Sequence, residues 1–274
     1  MTRFTDIARW RPLGPGNPPT RMARHDIICL HTMVGYLTST DDMFKRQGYT
    51  GVESHFGVGG IWGSDKATGL DGIVYQWVDT EYRADANLDG NHRLISIETA
   101  DNAPHSAADI LSWTPNQVRA IIRLVATLCK HYDIPAELVP DSKPGRRGIA
   151  YHRQGIDPWR VAGGETWSNS RGKECPGDRR IAQIRNEIIP GVRAALAPKV
   201  EDIMATKAEL KEAIREVLAE DKVLKTMAEG IFTADVIQAP DDDLKADPKN
   251  PTWQLRSYLN RLVNNTKKAP PTAP

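Results

Sequence analysis

Cysteine is scarce in this chain. Only Cys29, Cys129 and Cys175 occur, an odd number at wide spacing, which excludes a disulfide framework. No run of about 18 apolar residues exists, so no membrane span is expected. Neither sign of charge is in excess: the formal net charge is +1, which leaves no strong global field to favour nucleic acid or an anionic membrane. Internal repeats are absent. The opening Met1-Thr2-Arg3-Phe4-Thr5-Asp6 lacks a basic stretch followed by an apolar core, so no secretory signal is read and synthesis in the cytoplasm is the expectation. What is present is ordinary for a soluble protein, with 40% hydrophobic and 26% charged residues. The 274 residues exceed one medium domain and suggest an appendage.

Residues 10 to 24 hold Pro12, Gly14, Pro15, Gly16, Pro18 and Pro19 and read as irregular. Ile27-Ile28-Cys29-Leu30 is a short apolar run that suits a buried strand, with His31 at its carboxyl end. Further strands are expected at His55 to Gly59, Ile73 to Val78 and Leu94 to Glu98, and a short helix from Asp41. Ser112-x-Thr114-Pro115 opens a helix through His131. Its apolar residues Val118, Ile121, Ile122, Val125 and Leu128 recur at helical spacing and should pack on the sheet. Asp141 to Gly148 and Asp157 to Gly172 read as loops. Pro176 to Leu196 reads as a final helix that Pro190 must break or kink.

A boundary is expected near Ala197-Pro198, giving a domain over 1–198 and a small, mainly helical region over 199–274. Thr206 and Glu209 are spaced as a capping box ahead of Leu210, Ile214, Val217 and Leu218. A second amphipathic helix is expected from Trp253 to Val263, and the proline-rich end from Lys267 is expected to be disordered.

His31, His152 and Cys175 are candidate zinc ligands. Two imidazoles and a thiolate suit a borderline-soft ion, and three protein ligands leave a fourth tetrahedral position open, as in catalytic sites. Either histidine alone reads equally well as a buried structural residue. Cys129, on the long helix, reads as a small buried hydrophobe. Cys29 shares a strand face with His31 and reads as a core thiol, with a Cys29–His31 metal pair as the alternative.

The segments Leu30-His31-Thr32, Ser54-His55-Phe56, Ile97-Glu98-Thr99, Tyr151-His152 and Lys173-x-Cys175-Pro176-Gly177 carry a resemblance. In order and spacing they resemble zinc-dependent N-acetylmuramoyl-L-alanine amidases, a family that includes bacteriophage endolysins and is related to peptidoglycan-recognition proteins. The resemblance runs from about Arg24 to about Ala197. It implies an α/β fold with a mixed central sheet flanked by helices, a zinc ion in a surface cleft, and cleavage of the amide between N-acetylmuramic acid and L-alanine in peptidoglycan. It implies that Glu98 acts as general base and that Lys173 offsets charge on the carbonyl oxygen, while also favouring the Cys175 thiolate. A strand-end carboxylate or a surface lysine without a role is the plainer reading of each.

One position departs from the pattern: many relatives carry tyrosine where this chain has Ser54. That weakens a tyrosine-assisted mechanism and shifts weight to Glu98 and Lys173, leaving His55 as a structural or cleft-wall residue. Asp178 is a weak candidate, pairing with Arg179 or holding a ligand histidine. Trp62, Trp159 and Trp167 either stack on sugars or simply pack loops. His25, His92, His105 and His131 read as surface or loop residues.

A wall substrate reached from the cytoplasm implies an endolysin of the phage type, released through a holin-like pore. Two alternatives are kept. A peptidoglycan-binding protein without catalysis would typically lack the cysteine, which is retained here. A zinc peptidase cutting within the stem peptide shares the metal chemistry. The region after 198 suits a wall-binding domain, an oligomerising helix pair or a cap.

Overall fold

The computed structural model describes residues 2–16, 18, 20–102 and 109–197, with short segments at 209–212, 235–238 and 252–254. The chain forms two compact units, Met1–Ala197 and Pro198–Pro274.

The first unit is built on a six-stranded mixed sheet. Its strands are β1 (Arg9–Trp10), β2 (Ile27–Leu30), β3 (Phe56–Val58), β4 (Val74–Gln76), β5 (Leu94–Thr99) and β6 (Gly148–Tyr151). They lie in the order β1-β4-β3-β5-β2-β6. Only β3 and β4 pair antiparallel; every other pairing is parallel. Every residue of β2 is buried, which explains why its sequence is continuously apolar rather than alternating: helices and loops cover both faces.

The helices are α1 (Leu37–Gln47), α2 (Gly63–Ala67), α3 (Pro115–Tyr132), α4 (Asp178–Gln183) and α5 (Ile189–Leu196). Thr114 caps α3, accepting from the Gln117 amide at 3.0 Å while Gln117 Oε1 accepts from the Thr114 amide at 3.1 Å. Asp133, in the left-handed conformation, ends the helix. Val118, Ile121, Leu124, Val125 and Leu128 of α3 pack with Ile28, Leu30, Ile95 and Ile97 of the sheet and Ile188 and Val192 beyond α4. Each such aliphatic side chain contributes about 1.5–3 kcal/mol by burial. A second core, around Leu37, Phe44 and Trp77, covers the opposite side.

Residues 11 to 24 are irregular where described, as expected, apart from the isolated bridge of Arg21 to Tyr82, while Trp10 lies in the edge strand β1. The final helix is interrupted by a π turn at Ile184–Ile188, one turn ahead of Pro190. The proline has no N–H to complete the previous turn, and it sits comfortably at the start of α5.

In the second unit, residues 209–212 are helical. β7 (Asp235–Gln238) pairs antiparallel with β8 (Thr252–Gln254). Trp253, expected to begin a helix, is therefore in a strand, where a Thr-Trp pair is favoured. The remainder of both expected C-terminal helices, and the end from Lys267, lies outside the described residues. Among the described residues no helix is long and apolar enough to cross a membrane.

Candidate metal centre

The parallel register brings the site together. Leu30 of β2 is level with Ile97 of β5 and with Tyr151 of β6. The next residue on each strand is His31, Glu98 and His152, so these three share one row at the carboxyl edge of the sheet, where α/β sheets place their sites. Cys175 arrives on the loop before α4. The Arg153 amide donates to the Cys175 carbonyl at 2.9 Å, and the Thr32 amide donates to Cys175 Sγ at 3.3 Å.

His31, His152 and Cys175 are 1%, 2% and 3% exposed. Their ligating atoms all lie within 4.8 Å of one another, and the two imidazole rings are 4.2 Å apart. Two ring nitrogens in this group, His31 Nε2 and His152 Nδ1, are buried without a hydrogen-bond partner, as is Glu98 Oε2. His152 Nε2 lies 2.9 Å from the Trp167 carbonyl. A carbonyl only accepts, so Nε2 carries the proton and Nδ1 keeps its lone pair. The Asn87 side chain lies beside His31 and opposes the lowering of its pKa, and its amide donates to Cys29 Sγ at 3.5 Å. Buried polar atoms without partners are costly, and a cation held by the three residues removes that cost. The donor set and the orphaned nitrogens thus fit zinc.

Electrostatics agree. Burial, then the charges of His152 and Lys173, holds His31 well below the usual histidine range. Burial and Lys173 lower His152 to about 3. Both rings are therefore neutral near pH 7, the form that binds metal. Burial, then Glu98, raises the Cys175 thiol to about 12, against the lowering influence of Lys173, the Thr32 amide and Arg180. A cation would displace that proton. Burial raises Glu98 to about 8, with Lys173 and Arg180 pulling it down and Asp101 pushing it up. Glu98 Oε1 lies 3.6 Å from His31 Nδ1, and its side chain keeps 17% exposure. Lys173 is exposed.

Other expected residues fall elsewhere. Ser54 is fully buried and offers no surface to a substrate. His55 is structural: its Nδ1 accepts from the Ser96 amide at 3.1 Å and its Nε2 donates to the Tyr82 carbonyl at 3.0 Å. Cys29 is a core thiol. Asp178 pairs with Arg153 rather than Arg179 or a histidine, because Arg153 faces it from the turn after β6. Trp167 is 1% exposed and cannot stack on a sugar. It seats against Gly155, where a Cβ would lie 2.2 Å from the indole. Trp159 is 39% exposed beneath the Arg153 guanidinium, and Trp62 is half-buried.

Sequence reasoning missed Asn87, the Trp167 carbonyl, Asp101 and Arg180. None stands in a pattern of its own; only strand register and loop path reveal them.

The profile of the Amidase_2 family, described as N-acetylmuramoyl-L-alanine amidase, matches residues 21–178. No curated protein sequence matches the chain. Among solved structures, the hydrolase AmiA of Staphylococcus aureus is 14% identical, with 69% of this chain and 86% of that one covered and a TM-score of 0.48. The amidase LysC of Clostridium intestinale is 16% identical, covering 65% and 95% with a TM-score of 0.41. The Ph2119 endolysin of a Thermus scotoductus bacteriophage is 14% identical, covering 65% and 98% with a TM-score of 0.43. With its profile match spanning more than half of its length, the chain belongs to the Amidase_2 family of N-acetylmuramoyl-L-alanine amidases.

Proposed function

We propose that this chain hydrolyses the amide between the lactyl group of N-acetylmuramic acid and the L-alanine of the stem peptide, using one zinc ion held by His31, His152 and Cys175. Zinc, when bound, supplies Lewis acidity toward the carbonyl and toward water. Glu98 takes a proton from the attacking water and returns it to the departing amine as the C–N bond breaks. Lys173 stabilises the negative charge that grows on the carbonyl oxygen. The observation that carries this reading is the buried ligand group with unpartnered ring nitrogens beside an equally unpartnered carboxylate oxygen.

Digestion of purified peptidoglycan, with and without a chelator, tests the reaction. Mass analysis should show new N-terminal alanine and intact muramic lactyl groups, only without chelator and again after zinc is restored. Cuts inside the stem peptide would make the chain a peptidase, and wall binding without any cut would make it a recognition protein.

The finer half of the proposal is that the chain is a phage endolysin, made in the bacterial host cytoplasm and passed to the wall by a holin-type pore. Induced expression should lyse cells promptly only when such a pore is co-expressed. Equal lysis without it removes the endolysin assignment and leaves the amidase reaction untouched. Residues 199–274 are proposed to serve wall attachment or oligomerisation, with 1–198 sufficient for the chemistry. A chain ending at Pro198 should cleave soluble muramoyl-peptides at the parental rate.

A further inference from the structure

A buried cation sits directly behind the ligand group. Arg180, in α4, is completely buried, and every arm of its guanidinium is used. Nε donates to the Leu111 carbonyl at 3.0 Å. Nη1 donates to Thr32 Oγ1 at 3.0 Å and to Thr99 Oγ1 at 2.8 Å. Nη2 donates to the Ala100 carbonyl at 2.9 Å. The planar fork of arginine is what allows one side chain to hold so many fixed acceptors.

The two threonines are the residues that follow His31 and Glu98. Each passes the grip on. Thr99 Oγ1 donates to the His31 carbonyl at 2.5 Å. The Thr32 hydroxyl donates to Asp101 Oδ2, which also accepts from the Val34 amide at 3.0 Å. Asp101 is itself fully buried. Val34 adopts φ 51°, a conformation that β-branched residues avoid, and the Asp101 bond helps hold it there. Thr32 thus bridges a buried cation and a buried anion. Its own amide points at Cys175 Sγ, 3.3 Å away.

We infer that Arg180, Thr32 and Asp101 form a positioning network for the metal ligands, in which the Thr32 hydroxyl fixes the amide that hydrogen-bonds the Cys175 sulfur. The inference rests on the zinc reading above. Fixing that N–H orients the thiolate lone pairs, and fixing the His31 carbonyl orients the strand end that carries the imidazole. Arg180 also ties the helix after the cysteine loop to both strand ends, so the histidine and the thiol cannot drift apart.

Thr32→Val in the full-length chain deletes the bridging hydroxyl, keeps the side-chain shape and keeps the amide. Groups that hold metal ligands typically contribute about 10–100-fold to metal affinity, so zinc affinity, measured by competition with a chromogenic chelator, should fall by that factor. With cobalt in place of zinc, the thiolate-to-cobalt charge-transfer band should shift or weaken. Thr32→Ser should restore both. Arg180→Gln should weaken zinc in the same direction; if that variant does not fold, Thr32→Val carries the test by itself. A Thr32→Val protein with parental zinc affinity and a parental cobalt spectrum overturns the network, as does a loss that Thr32→Ser fails to restore. A parental chain that binds neither ion overturns the zinc reading itself, and this inference with it.

Discussion

His152 and His55 occupy two regions of one sheet and look alike until their last nitrogen is counted. Both are buried, at 2% and 0% exposure, and both use Nε2 on a backbone carbonyl, that of Trp167 or Tyr82. His55 Nδ1 then accepts from the Ser96 amide at 3.1 Å, whereas His152 Nδ1 has no partner. Burial pushes both rings below the usual histidine range, to about 4 for His55 and about 3 for His152, so the pKa does not distinguish them. The unspent lone pair does. A histidine that is buried and fully bonded has no lone pair left for a ligand; one that is buried, neutral and short of a donor is free to hold a cation.

The comparison breaks most severely at the metal side. Cys175→Ser should reduce amide hydrolysis to background in a wall-digestion assay, because the hard hydroxyl replaces a thiolate in the ligand set. Glu98→Gln should leave the metal in place and slow turnover by about a hundredfold to ten-thousandfold, the range for losing a general base. Lys173→Ala should cost on the order of tenfold, less than a buried oxyanion donor would, since the lysine is solvent-exposed. Steady-state rates on soluble muramoyl-peptides separate the two, and parental rates in both variants would remove the catalytic roles assigned here.

On the other side, His55→Ala should leave chemistry intact in the protein that folds and instead lower stability. It strands the Ser96 amide and the Tyr82 carbonyl, at about 1–3 kcal/mol for each unsatisfied group, readable from urea denaturation.

The smallest effect concerns Glu53, in the residues leading into the same strand. Its Oε2 is buried without a partner. Burial, then Asp85, raises its carboxyl from the ordinary 4.5 to about 7, against the Asp85 amide and Arg83. A raised carboxyl favours the folded state while protonated, so this contribution is complete below about pH 4.5 and fades as pH rises through 7. Glu53→Gln should therefore flatten the fall in melting temperature between these pH values. An unchanged slope would show that the carboxyl is solvated.

Much of this division was legible in the sequence. The apolar run of β2 placed His31 at a strand end, and the Thr114-Pro115 start gave α3 its cap and its packing face. The segments around His31, His152 and Cys175 singled out, from the chain's other histidines and cysteines, three residues that the fold gathers into one buried group. What stayed hidden depends on contacts distant in sequence. Asn87 is 56 residues from His31. Trp167 stayed open between a sugar platform and a packed loop because an indole's burial is fixed by contacts such as that with Gly155. Arg180 drew no reading from the sequence, since nothing local marks a guanidinium whose acceptors are carbonyls and hydroxyls distant in the chain. Asp178 was misassigned for a related reason: its partner Arg153 is 25 residues away, whereas Arg179 is adjacent only along the chain.

The most direct test of the account is the zinc content of three purified full-length proteins: the parent, His55→Ala and Cys175→Ser. A three-ligand site predicts about one zinc per chain in the parent and in His55→Ala, and close to none in Cys175→Ser. Full zinc in Cys175→Ser, or loss of zinc in a folded His55→Ala protein, would contradict it.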